Sequence, residues 1–112
     1  ELEEKAKFIN TCDAMIHARR MGETFGSAIS EFSVKNKPII TCVGKDNAHL
    51  DILKGNCFLY DNEETLTQIL YSIYNNPDEI KKNWNQYEYF TPDNIMKEFD
   101  VKFIQPCLSK EE

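Results

Sequence analysis

The run Pro38-Ile39-Ile40-Thr41-Cys42-Val43 constrains this chain more than any other stretch. It is largely β-branched and has almost no polar face. A strand of that kind has to be covered on both sides, which is the condition of a strand inside a parallel sheet. The preceding Asn36-Lys37-Pro38 ends whatever helix comes before it, because the residue ahead of a proline avoids the helical region. Two shorter apolar runs read the same way, residues 13–18 and Cys57-Phe58-Leu59-Tyr60. Between them the periodicity changes to that of amphipathic helices. Residues 2–10 place Leu2, Ala6 and Ile9 on one side, and residues 25–35 carry Phe25, Ala28, Ile29 and Phe32 at helical spacing. Residues 48–53 make a short helix. Asp61 or Asn62 caps a further helix, with Leu66, Ile69, Leu70 and Ile73 as its stripe. Two more helices are expected, over residues 79–89 and from Thr91-Pro92-Asp93 onward, the last with Ile95, Met96 and Phe99 facing inward. Strands alternating with helices give an α/β fold, a Rossmann-like parallel sheet with flanking helices.

Composition narrows the function classes. The chain has 112 residues and a formal charge of −6. The acidic balance argues against nucleic acid as a partner, since such a surface needs cations to displace counterions. It argues equally against an anionic membrane face, and no apolar run reaches the ~20 residues of a membrane span. The cysteines Cys12, Cys42, Cys57 and Cys107 form no close pair of the kind zinc sites use. They read as reduced thiols in a cytoplasmic protein. The chain opens on Glu1-Leu2-Glu3-Glu4, and three short strands leave open sheet edges, so the expectation is a piece of a longer protein.

The chemistry concentrates in residues 16–32. Glu23 lies in the loop between the first strand and the helix that follows, with Glu31 two turns into that helix beside its apolar stripe. A carboxylate there needs a partner, and the vicinal hydroxyls of a ribose match its two acceptor oxygens. Thr24, Phe25, Gly26 and Ser27 are expected to offer first-turn amides suited to a phosphate, with Gly22 and Gly26 allowing close approach. In an open α/β sheet this loop sits where ligands bind, beyond the carboxyl ends of the strands. His17 closes the strand toward the same crevice, as a hydrogen-bonded structural residue or a donor contact. His49, in Asn47-Ala48-His49-Leu50, opens a short helix near the crevice and reads as a donor-facing residue or, equally, as a surface or capping one. Arg19 and Arg20 read as solvated cations, though a phosphate nearby would suit either. Trp84, Tyr87, Tyr89 and Phe90 read as packing aromatics rather than a sugar-stacking platform.

Gly22-Glu23-Thr24-Phe25-Gly26, then Glu31, then Pro38-Ile39-Ile40-Thr41 resembles the donor-binding half of GT-B fold retaining glycosyltransferases, whose signature is Glu, seven residues, Glu. The resemblance covers residues 8 to about 76. It implies a glycosyltransferase that moves a sugar from a nucleotide-diphosphate-sugar donor, the co-substrate, to a glycan or other acceptor held by an N-terminal domain. Glu23 then contacts the transferred sugar, as the catalytic carboxylate. Glu31 grips the donor ribose, and Gly22, Thr24, Phe25, Gly26 and His17 complete the donor site. It implies no metal and no other cofactor. The basic pair that neutralises the diphosphate in this family is not found here, and His17-Ala18 stands where Pro-Ser is frequent. Residues 1–76 would be the C-terminal half of the nucleotide-sugar-binding domain. Residues 77–112 would be helices that pack on it or cross to the N-terminal domain, in an enzyme that is cytoplasmic or held at the cytosolic face of a membrane. The rival reading is a non-catalytic α/β module of degenerate glycosyltransferase fold.

Overall fold

In the computed structural model the strand at Pro38 is the middle of a three-stranded parallel sheet. The structure describes residues 2–110, and side chains for residues 2–108; residues 1, 111 and 112, at the outer ends of the two expected segments, lie outside it. Helix α1 (Leu2–Thr11) leads into β1 (Met15–Ile16). A second, two-residue strand β2 (Gly22–Glu23) precedes α2 (Ser27–Ser33), and β3 (Ile39–Thr41) follows. Then come β4 (Asp46–Asn47), α3 (Ala48–Leu53), β5 (Phe58–Leu59) and α4 (Glu63–Asn75). The main sheet has the order β1-β3-β5, all parallel, with Met15 opposite Ile39, Ile16 opposite Ile40, and Ile40 opposite Phe58. All three residues of β3 are buried, as its continuous apolar pattern requires.

Successive side chains of β3 point to opposite faces. Ile39 joins Ile29, Leu53 and Tyr87 in the core beneath α2 and α3, with Met15, Phe25, Phe32 and Phe90 packed around it. On the other face Ile16 and Ile40 line an open groove of about 970 Å³, shared with Leu70, Ile73 and Tyr74 of α4. The apolar stripe of α4 is therefore only half covered, and no residue of that helix is fully buried. Its start is well defined: Asn62 accepts from the Thr65 amide at 2.9 Å, and the Thr65 hydroxyl accepts from the Asn62 amide at 3.1 Å, a reciprocal cap.

The loop expected at 19–24 and the turn expected at 44–47 are tied together. Within them β2 and β4 pair in parallel, Gly22 opposite Asp46 and Glu23 opposite Asn47. Gly22 has a left-handed φ of 75°, and a Cβ placed there would lie 1.6 Å from the Asp46 carbonyl oxygen. A Cβ on Gly44 would meet the Gly22 nitrogen at 2.6 Å. The close approach that Gly22 permits is thus to another stretch of backbone.

Three expectations are corrected. Helix α2 begins at Ser27 rather than at Phe25, because Gly26 takes a left-handed φ of 86° at its N-cap. No helix covers residues 79–89. A single 3-10 turn, Pro77–Ile80, is followed by irregular chain. There the side chains of Asn83 and Asn85 accept from the amides of Asn85 and Tyr87, at 3.0 and 3.1 Å, in local turns that compete with helix. The amides of Trp84 and Gln86 go instead to Asn36 Oδ1 and Ser33 Oγ, at 2.6 and 3.0 Å. This strap runs along α2 from its C-terminal end to its N-terminal end, where the Tyr87 hydroxyl donates to the Phe25 carbonyl at 2.6 Å. Lastly, Ile95, Met96 and Phe99 do not face inward. They sit on α5 (Pro92–Phe99), which continues through a π-helical turn, Asp100–Ile104, into α6 (Gln105–Lys110), and all three are exposed. Among the described residues the apolar side chains of that helix are left exposed. It extends the molecule to 63 Å and raises the radius of gyration to 17.3 Å, against the ~13 Å of a compact chain of this length.

The glycine geometry separates two substitutions. Gly22→Ala should cost at least ~3 kcal/mol, since the new methyl overlaps backbone that cannot move aside. Gly55→Ala, also left-handed but with nothing near its Cβ position, should cost only about 1–2 kcal/mol of backbone strain. Urea denaturation midpoints of the two variants check the difference.

Candidate functional site

At the carboxyl ends of β1 and β3 the chain gathers a buried polar cluster. His17 follows β1 directly and keeps the sheet pattern, its amide donating to the Ile40 carbonyl at 2.7 Å. Its ring is buried. Nδ1 lies 2.9 Å from the hydroxyl of Thr41, the last residue of β3, and Nε2 lies 3.1 Å from Glu23 Oε1. On its other side the Thr41 hydroxyl is 3.3 Å from Nε2 of His49, in the first turn of α3. The two imidazoles are near neighbours, with ring centroids 5.1 Å apart. Tyr60, just past β5, donates its hydroxyl to the His17 carbonyl at 2.9 Å. Every strand of the main sheet thus contributes to holding one histidine.

Glu23 is where this cluster reaches the surface. The β2–β4 pairing fixes its backbone, and its side chain is 18% exposed. Arg19 Nη1 contacts both carboxylate oxygens, at 3.1 and 3.2 Å. The hydrogen bond from His17 and the adjacent Arg19 hold the Glu23 carboxyl below its ordinary range, outweighing desolvation. The carboxylate is therefore ionised at neutral pH and retains acceptor capacity for further donors. Burial, then repulsion from His17, lowers the His49 pKa. Tyr87 is pushed up to about 12, by burial first and then by the Glu23 charge.

The sequence-identified residues fall into three groups. His17 and Glu23 are joined directly. Gly22 and Gly26 flank Glu23 but are buried against protein: the nearest atoms to a Cβ on Gly26 are Ile29 Cδ1 at 3.1 Å, Ile29 Cβ at 3.3 Å and Tyr87 Oη at 3.3 Å. Phe25 packs edge-on against Tyr87 and Phe90, at 5.2 and 5.3 Å between ring centroids, while Thr24 is exposed. Glu31 stands apart from the network. Its carboxylate pairs with Lys5 of α1 at 3.3 Å and is 42% exposed. No side chain caps α2.

No protein-family model matches the chain, and no curated protein or solved structure matches it at a significant level.

Thr41, His49 and Arg19 were not singled out as site residues by the sequence. His49 is fully buried rather than at the surface, because α3 turns it into the space between β3 and His17. An Arg four residues before a Glu was the available signal for Arg19, and a Thr ending a buried strand was the signal for Thr41. For His49 the signal was its place at the start of a short helix near the crevice. Among the described residues no group of three His, Cys, Asp or Glu is placed to hold a metal ion, and no helix is long and apolar enough to cross a membrane. The four cysteines stand as separate thiols.

The cluster carries a pH signature. His49 has a lowered native pKa, so the unfolded chain binds the extra proton first. Stability then falls as pH drops below about 6.5, the ordinary histidine value. Glu23 is also lowered, so its contribution is present above about pH 4.5 and is lost as pH falls through the native value. In unfolding titrations His49→Gln should flatten the upper limb and Glu23→Gln the lower one. Unchanged profiles would contradict the assigned environments.

Proposed function

We propose that the chain is the donor-binding part of a glycosyltransferase that uses a nucleotide-diphosphate sugar. The observation that carries this reading is an ionised, partly exposed carboxylate, Glu23, held rigidly by His17 and Arg19 beyond the carboxyl ends of parallel strands. That is the position at which α/β sheets bind ligands. Glu23 would accept hydrogen bonds from hydroxyls of the transferred sugar. Glu31 would take the ribose diol. Its ion pair with Lys5 is solvent-exposed and worth at most about 1 kcal/mol, so a ligand can displace it. The uncapped amides opening α2 would face the diphosphate, and Arg19 is the nearest cation to the developing charge. Phe25 and Gly26 would shape this loop from behind, through Tyr87.

The chemistry would be positioning plus stabilisation of the leaving diphosphate. Retention of configuration and independence of metal follow from the resemblance. The acceptor would be bound by a further domain, and the exposed apolar face of the helix over residues 92–108 suits packing across to it. A cytoplasmic setting, in solution or at the cytosolic face of a membrane, belongs to the same reading.

Thermal unfolding of the protein with a panel of nucleoside diphosphates and nucleotide sugars tests the proposal. A ligand at a hundred times its Kd should stabilise by about 2.7 kcal/mol, several degrees in Tm. Glu31→Ala should weaken all diphosphates sharing the ribose by about tenfold. Glu23→Ala should weaken nucleotide sugars but not the free nucleoside diphosphate. No stabilisation by any member of the panel would leave a structural α/β module as the better account.

A further inference from the structure

The Thr41 hydroxyl lies between two imidazoles and has a single proton to give. It is 2.9 Å from His17 Nδ1 and 3.3 Å from His49 Nε2, and all three residues are buried. It can therefore donate to one acceptor only, and the Cys42 carbonyl, at 3.5 Å, is the most distant of the three candidates. The far end of the chain of contacts fixes which. His17 Nε2 faces an ionised carboxylate oxygen, which only accepts, so that nitrogen carries a proton. In the neutral ring Nδ1 is then the acceptor, Thr41 donates to it, and the Thr41 oxygen accepts from Nε2–H of His49. This direction leaves His49 Nδ1 as a bare acceptor. That nitrogen is the one buried side-chain polar atom without a hydrogen-bond partner among the described residues. The reverse direction would need a second proton on His17.

We propose that Thr41 and His49 are positioning residues: they fix His17 in its Nε2–H tautomer, and so hold the Glu23 carboxylate in the orientation that meets a sugar hydroxyl of the donor. The hydrogen-bond direction stands on the contact geometry and on an ionised Glu23. The positioning role rests on the donor-site reading above. Neither residue reaches the surface, so neither touches the donor, and both act only through Glu23. The lowered pKa of His49 agrees with a ring that stays neutral and never competes with His17 for the carboxylate.

Two measurements test this separately. Long-range proton–nitrogen correlation spectra of the protein read the ring tautomers directly. The chain has two histidines, and the spectrum of His49→Gln assigns them. Both rings should be Nε2–H in the wild type. His17 should keep that signature in His49→Gln, whose amide can donate from the place of Nε2. It should move toward tautomer averaging in His49→Phe and Thr41→Val. A wild-type His17 in the Nδ1–H form overturns the proposal, as does a His17 signal indifferent to both of the latter variants. If those two variants fail to fold, the wild-type spectrum alone decides the direction.

The second measurement is nucleotide-sugar affinity. His49→Phe should weaken it about tenfold, His49→Gln should restore it, and in a Glu23→Ala background His49→Phe should have no further effect. Additive losses would make His49 a merely structural residue and overturn the positioning role. A wild type that binds no nucleotide sugar overturns the donor reading, and the positioning role with it, while the tautomer result is unaffected.

Discussion

A hydroxyl at the end of a fully buried strand cannot be left unpaired, and much of this molecule is arranged around that constraint. Thr41 closes β3, whose three residues are all buried, and water does not reach it. An unsatisfied hydroxyl there would cost about 1–3 kcal/mol. The imidazoles of His17 and His49 satisfy it. Once His17 is committed to Thr41 on one side, its other nitrogen is free for Glu23. The polar demand of the core is passed outward, one bond at a time, until it ends on a carboxylate at the surface. Fold stability and the candidate chemistry therefore share one set of hydrogen bonds.

The same arrangement explains why Arg19 is needed. Glu23 brings a full negative charge to the rim of a low-dielectric cluster, and a carboxylate there is costly without compensation. His17 supplies one donor and Arg19 supplies contacts to both oxygens. Arg19 is itself mostly exposed, so its contribution is screened and adjustable. A ligand carrying its own anionic groups can compete for it without disturbing the buried bonds behind.

Much of the α/β arrangement was legible in the sequence because it rests on local signals. The continuous β-branched run of β3, the stripes of α2 and α4 and the cap at Asn62 each announce an element within a few residues. Most of the failures were matters of distant partners. Residues 79–89 carry helical spacing, yet their amides are claimed by Asn36 and Ser33 and by their own asparagines. Strands β2 and β4 are two residues each and read as loops until their backbones meet. In the site, Glu23 and His17 were visible as a chemical pattern. His49 was not, since its role depends on α3 turning it inward over a distance that spacing does not encode. Gly22 was noticed for the right property and the wrong neighbour: it makes room for the carbonyl of Asp46.

The strap over residues 81–91 bears on the order in which the molecule can assemble. The loop beside Glu23 is tied at Phe25 by a hydroxyl sixty-two positions further along the chain. As the polypeptide leaves the ribosome, the sheet can form once β5 has emerged, and α2 can then settle on it. The loop at the N-terminal end of α2, however, has only the β2–β4 crossing to define it until Tyr87 arrives. The polar cluster is thus completed in two stages, first its buried end and later its rim. Any nascent chain short of the strap would have a formed sheet and an unfinished loop beside Glu23.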